Sequence, residues 1–362
     1  MNELIRIIDA DTNRACEGMR VLSDVARFVL NNASLAERAG ALRRAIRDIA
    51  SAKMGLGEQH LLDARNVDGD PDKDTTGERA RSRGRLVDTV AASARRTQEA
   101  LRSLEEFSAP LFGDAAAEYA RLRFECYNLH AEIALALREK LKLDLLDFDL
   151  YLVVGSQDVP DEERLFEVVM GALKGGVGAV QLREKVGTKR RLLEIARRMR
   201  DVVKQAGAAF IVNDHVDVAA ACDADGVHLG QDDLPLNEAK KMLPLSMIIG
   251  VSTHDLMQAL AAQQGGADYI NIGPIYATAT KEIPRDPLGV KAFAGIAKHV
   301  RIPFTVMGGI NEENVRNLVL AGAERIAVVS AIAADPDPAA ATERLLQVIR
   351  TTKGERARSL ST

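Results

Sequence analysis

The chain has 362 residues, more than one hydrophobic core ordinarily organises, so its length points to two domains of unequal size. Its 47% hydrophobic and 28% charged residues and formal net charge of −4 suit an ordinary globular protein. A mildly acidic balance without basic clusters gives a nucleic-acid partner no footing. Cys16, Cys126 and Cys222 lie far apart with no C-x-x-C spacing, which excludes a readable zinc site or disulfide framework and suits small buried hydrophobes in a reducing compartment. The N-terminal MNELIRIIDADTNRA carries acids and amides where a signal peptide would be apolar, and no apolar run reaches membrane-spanning length. A cytoplasmic location and no membrane partner are therefore expected.

From residue 1 to about 144 the pattern is helical, with apolar residues at three- and four-residue spacing such as Leu22, Val25, Ala26 and Val29. No strand is expected there. Asp63 to Gly77, DARNVDGDPDKDTTG, is rich in Asp, Gly and Pro and predicts a loop. An internal repeat follows: Arg14, Glu17, Arg20, Leu22 and Asp24 recur at a constant offset as Arg96, Glu99, Arg102, Leu104 and Glu106. Mixed charge along a helix ordinarily means a solvated, ion-paired face, whereas its repetition in two helices points to a shared site. No glycine-rich P-loop is present to mark a nucleotide site.

From residue 149 to 350 short strand-like runs alternate with amphipathic helical stretches. The runs are Tyr151 to Val154, Ala179 to Arg183, Phe210 to Val212, Gly226 to Leu229, Met247 to Val251, Tyr269 to Ile272, Phe304 to Met307 and Arg325 to Val329. Eight runs over this length predict an α/β fold, a (β/α)8 TIM barrel behind an all-α helical N-terminal domain. The remainder, 351–362, reads as a disordered tail.

Barrel enzymes carry their reacting groups at the C-terminal ends of strands, and polar residues are concentrated there. In the second run Gln181, Arg183 and Lys185 alternate with Val180, Leu182 and Glu184, so one face of the strand carries an amide and two cations. With Val180 and Leu182 against the helices, those groups point into the barrel mouth and ask for an anion. Asn213-Asp214 follows the third run and Gln231-Asp232-Asp233 the fourth. Carboxylates at neighbouring strand ends can hold magnesium beside a phosphate, or they can simply cap the next helices. The sixth run leads to Thr278, Thr280 and the cation Lys281; the seventh ends in Gly308-Gly309-Ile310 and the eighth in Val329-Ser330. Loops after strands seven and eight commonly cradle phosphate, which implies a second anion site.

The ordered motifs QLREK, VNDHVDVA, DGVHLGQDD, GVSTH, GPIYATATK and GGI, between Asp149 and Arg350, resemble the thiamine-phosphate synthase family. That resemblance implies condensation of hydroxymethylpyrimidine diphosphate with carboxythiazole phosphate to give thiamine monophosphate, pyrophosphate and carbon dioxide, with Mg2+. It implies that Gln181, Arg183, Lys185, Asn213, Ser252 and Lys281 hold the pyrimidine diphosphate, with Arg183, Lys185 and Lys281 catalytic. Asp214 and Asp233 would bind the metal, and Thr278, Thr280, Gly309, Val329 and Ser330 the thiazole phosphate. LVVGS at the first strand replaces the family's more usual threonine-aspartate ending. His215, His228 and His254 lie near the motifs and are assigned no role. The alternatives are a thiazole tautomerase-like barrel, which needs no diphosphate chemistry, and a ligand-sensing module without turnover.

RIIDADTNRACEGMRVLSDVARF and RRTQEALRSLEEF, within residues 1–138, resemble a helical domain fused to such synthases and assigned as a hydroxymethylpyrimidine-phosphate kinase. The resemblance implies ATP as its co-substrate. An oligomerisation or regulatory module is the competing reading, and a homo-oligomer is compatible with either. The partners implied are small-molecule substrates.

Overall fold

The computed structural model describes residues 2–65, 86–278 and 286–360. The chain divides into two compact units, Met1–Lys140 and Leu141–Thr362.

The first unit is built from helices α1 (Asn2–Asp24), α2 (Ala33–Met54), α3 (Glu58–Ala64) and α4 (Leu86–Ser108), with the N-terminal part of α5 (Gly113–Leu145). Its core is the apolar stripe of each helix: Ile8, Met19, Leu22, Leu101, Leu104 and Leu122 are fully or almost fully buried. Helices α1 and α4, which carry the repeat, lie antiparallel. Thr97 Oγ1 near the middle of α4 donates to the Ala15 carbonyl at 3.3 Å, while Ser103 Oγ donates to Asp11 further along. Gly18 permits this closeness, because a Cβ there would lie 2.6 Å from the Ser93 carbonyl and collide with Thr97. The repeated leucines face inward. The repeated arginines face outward and pair within their own helices, Arg20 with Asp24 at 3.8 Å and Arg102 with Glu105 at 2.6 Å and with Glu106. That is the solvated ion-paired face of the two readings. Asp63 and Ala64, expected in a loop, instead close α3, where Gln59 donates to Asp63 at 2.7 Å; residues 66–85 lie outside the described residues.

In the second unit eight parallel strands close on themselves in sequence order: β1 (Leu150–Val154), β2 (Ala179–Leu182), β3 (Ala209–Asn213), β4 (Gly226–Leu229), β5 (Ile248–Thr253), β6 (Tyr269–Ile272), β7 (Phe304–Val306) and β8 (Ile326–Val328). Closure is made by β1 and β8, with Leu152 opposite Val328. Strand residues alternate between two cores. Leu152, Val180, Leu182, Val212, Val227 and Ile270 pack outward against the helices, whereas Tyr151, Val153, Ala179, Ile211, Tyr269 and Ala327 fill the barrel interior. Towards the C-terminal strand ends the inward positions turn polar: Gln181, Asn213, His228, Ser252, Asn271 and Thr305 are all buried.

The C-terminal segment departs from expectation. The last helix, which is α14 in chain order (Pro338–Leu360), runs through residues 351–360, where the sequence predicts a disordered tail. Thr352 is fully buried with its hydroxyl on the Val348 carbonyl, and Arg350 and Lys353 reach Asp149 at 2.8 and 2.7 Å. Arg356 donates to the Val319 carbonyl at 2.6 Å and pairs with Glu324. Burial alone would raise the Asp149 carboxyl, but the two cations hold it below its ordinary range. A polar composition hides this segment from composition-based reading because its partners are non-local.

Ending the chain at Arg350 should therefore destabilise the barrel by on the order of 2 kcal/mol, the usual scale for losing a buried group with its ion pairs. Urea unfolding monitored by circular dichroism measures it, and an unchanged midpoint would show that the segment only rests on the surface.

Candidate active site

The period of two places Gln181 inward at the end of β2, and Arg183 and Lys185 continue from it into the following loop. Gln181, Arg183, Lys185, Asn213, Asp214, Asp233 and Ser252 all line one cavity of about 480 Å³, within the usual range for a small-molecule site. Thr278, Gly309, Val329 and Ser330 line an adjoining cleft, and Arg183 belongs to the walls of both. The sequence thus brings together every assigned residue except Thr280 and Lys281, which lie outside the described residues.

Neither acid caps a helix. The helix after β3 (Val216–Ala221) and the one after β4 (Leu236–Met242) start at His215 and Pro235 with no side-chain cap. Asp214 sits instead at φ 61°, a left-handed conformation that Asp tolerates better than bulkier residues, and accepts from Lys185 Nζ at 2.5 Å. Asp233 accepts from the Gly230 amide at 2.7 Å. Burial, then the hydrogen-bonding closeness of the Asp214 carboxyl, pushes the Asp233 carboxyl above its ordinary value. Two acids sharing one corner of a cavity that also holds Arg183 and Lys185 form a place where a cation and an anion can sit together.

The adjoining cleft owes its shape to glycine. Gly308 and Gly309 have φ of 109° and 62°, and a Cβ on Gly308 would lie 2.6 Å from Pro274. The loops after β6 and β7 can therefore approach each other, bringing the Gly308-Gly309 backbone beside Val329 and Ser330.

Several lining residues carried no recognisable motif. Tyr151, Asn271 and Thr305 face the cavity, and Thr305 Oγ1 donates to Asn271 Oδ1 at 2.9 Å. Strict inward-outward alternation along β1, β6 and β7 is the signal that finds them. Gln157 also lines the cavity, directly after the unusual LVVGS segment, and its amide donates to the Arg183 carbonyl at 2.7 Å. A Cβ on Gly155 would overlap that same carbonyl, so the departure at the first strand bears on the site. Of the three histidines, His228 bonds Ser252 and Tyr269, His254 Nδ1 bonds the Gly273 carbonyl at 2.5 Å, and His215 starts a helix.

Residues 150–332 match the family model described as thiamine monophosphate synthase, and residues 6–132 match the ThiD2 family. The chain belongs to the thiamine-phosphate synthase family. It is 38% identical over 349 residues to the thiamine-phosphate synthase of Synechococcus sp. (strain CC9311), covering 95% of this chain and 96% of that one. It is 39% identical over 347 residues to the one from Gloeobacter violaceus, covering 95% and 96%. A solved thiamine phosphate pyrophosphorylase from Pyrococcus furiosus matches at 36% identity with a TM-score of 0.53, covering 57% of this chain and 98% of that structure. The chain is thus a transferase of thiamine biosynthesis. Among the described residues no helix is long and apolar enough to cross a membrane.

The raised Asp233 carboxyl has a consequence for stability. A carboxyl whose folded pKa lies above its unfolded value stabilises the fold fully below the unfolded value, near 4, and loses that contribution as pH rises through the folded one. Once pH has risen through that folded value, the ionised Asp233 therefore costs the fold stability. Asp233→Asn should melt above the unchanged protein in EDTA at neutral pH, with the gap closing as pH falls to about 3.5. A variant that melts lower at neutral pH would contradict the repulsion.

Proposed function

We propose that the barrel condenses hydroxymethylpyrimidine diphosphate with carboxythiazole phosphate, and that the larger cavity takes the first and the adjoining cleft the phosphate of the second. The observation that carries this reading is the shared Arg183, which lines both spaces and so can touch the departing diphosphate while facing the incoming thiazole. In this reading the thiazole nitrogen supplies an electron pair to the exocyclic methylene of the pyrimidine. The methylene carbon–oxygen bond breaks and its electron pair leaves with pyrophosphate. Loss of the thiazole carboxylate as carbon dioxide leaves the carbon–carbon pair on the ring carbon, which takes up a proton from solvent.

No side chain need act as nucleophile. Arg183 and Lys185 bind the leaving group and meet its growing charge, and Lys281 is assigned to the same task. Lys185, now paired with Asp214, can turn from that carboxylate to the diphosphate once the acid has a cation. Gln181 and Ser252 hold the pyrimidine ring, while Thr278, Thr280 and the Gly309, Val329 and Ser330 backbone hold the thiazole phosphate. Asp214 and Asp233 suit Mg2+, because they crowd each other beside a phosphate-binding wall and together offer the one or two carboxylates magnesium ordinarily takes. When bound, Mg2+ would neutralise diphosphate charge there.

For the helical unit the reading is that it phosphorylates hydroxymethylpyrimidine monophosphate with ATP, on the resemblance of its α1 and α4 segments. The outward arginines Arg20 and Arg102 are committed to pairs within their helices, so the buried acids Asp9 and Asp11 are the better supported polar centre. Asp9 receives both Nε and Nη2 of Arg65 at 2.8 and 2.7 Å.

Three outcomes are expected with the full chain. Arg183→Ala should lower kcat/KM for thiamine monophosphate formation by on the order of 100- to 1000-fold and raise KM for both substrates. Loss of affinity for one substrate alone would separate the two spaces. Asp214→Ala and Asp233→Ala should each cut pyrophosphate release by about 100-fold while raising the Mg2+ needed for half-activity; an unchanged Mg2+ requirement would remove the metal role. Supplied with the monophosphate and MgATP, the protein should produce ADP and diphosphate, and Asp9→Asn should slow this without affecting condensation. Absence of ADP, with a smaller assembly on deleting the unit, would leave the oligomerisation role.

A further inference from the structure

A chain of hydrogen bonds crosses the barrel beneath the larger cavity from β2 to β5. Gln181 Nε2 donates to Tyr151 OH at 2.7 Å, Tyr151 OH meets Tyr269 OH at 3.2 Å, Tyr269 OH meets His228 Nδ1 at 3.0 Å, and His228 Nε2 meets Ser252 Oγ at 3.0 Å. All five residues are buried, and the Tyr269 ring occupies space that any side chain at Gly250 would fill. Burial pushes both phenols upward, so each keeps one proton to place.

Proton bookkeeping gives the chain a direction. The Gln181 amide nitrogen can only donate, so Tyr151 accepts there and has Tyr269 as the acceptor for its own proton. Were Tyr269 to donate back, the Tyr151 proton would be buried without an acceptor, which is costly in such an interior. Tyr269 must then donate to His228 Nδ1, and His228 donates through Nε2 to Ser252. Two polar atoms remain for the cavity at opposite ends: Gln181 Oε1 as an acceptor and the Ser252 hydroxyl proton as a donor.

We propose that Tyr151, Tyr269 and His228 are positioning residues that fix this polarity, so that the site selects a heteroaromatic ring with an amino donor on one edge and a ring-nitrogen acceptor on the opposite edge. This rests on the pyrimidine reading above, whose aminopyrimidine ring has that arrangement. The relay fixes the His228 ring as the Nε2–H tautomer before any substrate arrives.

The test combines two measurements on the full chain. Selective 15N-histidine labelling, with His228→Asn to assign the signal, should show a protonated Nε2 and an unprotonated Nδ1 in the free protein. Tyr269→Phe, which keeps the ring and removes only the hydroxyl, should raise KM for the pyrimidine diphosphate about tenfold, the scale of one well-made hydrogen bond, and leave KM for the thiazole phosphate unchanged. A merely structural tyrosine would move both or neither. A His228 ring carrying its proton on Nδ1, or protons on both nitrogens, overturns the relay, as does a Tyr269→Phe protein with the pyrimidine KM within about twofold of the original. The tautomer needs no turnover to observe. An Nε2–H ring in a protein that condenses nothing would support the relay while refuting the substrate reading.

Discussion

The closed barrel gives each strand residue one of two environments, and the rest of the site depends on that division. With no sheet edge, every second residue must either pack under the helices or enter a narrow interior. Apolar residues satisfy both environments at the N-terminal ends of the strands, where Ala179, Ile211, Ile248 and Ala327 fill the interior. Nearer the C-terminal ends the interior widens to a cavity, and polar inward residues are stable because they bond one another across strands. Thr305 with Asn271, and His228 with Ser252 and with Tyr269, are such pairs. The strand ends thereby become a rigid polar floor and the loops beyond them carry charge.

That floor separates orientation from charge. Gln181 and Ser252 are buried and held by neighbours before any ligand arrives, which suits recognition of a planar ring. Lys185 and Asp214 sit further out, paired with each other, which suits groups that must exchange partners when a phosphate and a cation arrive. Arg183 stands between, on the wall common to both spaces. The proposed catalysis by fixed charge would use this order, because cations placed in advance cost no reorganisation when a leaving group departs.

The helical unit follows the same logic with different means. Its internal repeat is visible in α1 and α4, whose leucines Leu22 and Leu104 are buried and whose arginines are not. Close packing through Gly18 then brings polar groups of the two helices together, Asp11 with Ser103 and the Ala15 carbonyl with Thr97. A periodic charge pattern shows which face is wet. Which acids become buried is settled by what lies across the interface, so no charge pattern within α1 marks Asp9 and Asp11.

The sequence alone determined the two-part organisation, the eight strands to within a residue or two, and the gathering of Gln181, Arg183, Lys185, Asn213, Asp214, Asp233 and Ser252 at one end of the barrel. These are local properties: a period of two, a period near 3.6, and the rule that parallel strands present their C-terminal ends on one face. Tertiary structure alone decided that residues 351–360 form helix, that the acids after β3 and β4 face a cavity rather than cap helices, and that Arg183 serves two spaces. It also decided that Tyr151, Tyr269 and His228 join into one relay. Each of these depends on partners far apart in the chain, such as Asp149 with Lys353 and Tyr151 with Tyr269, and no pattern within a single element encodes a contact with a distant one.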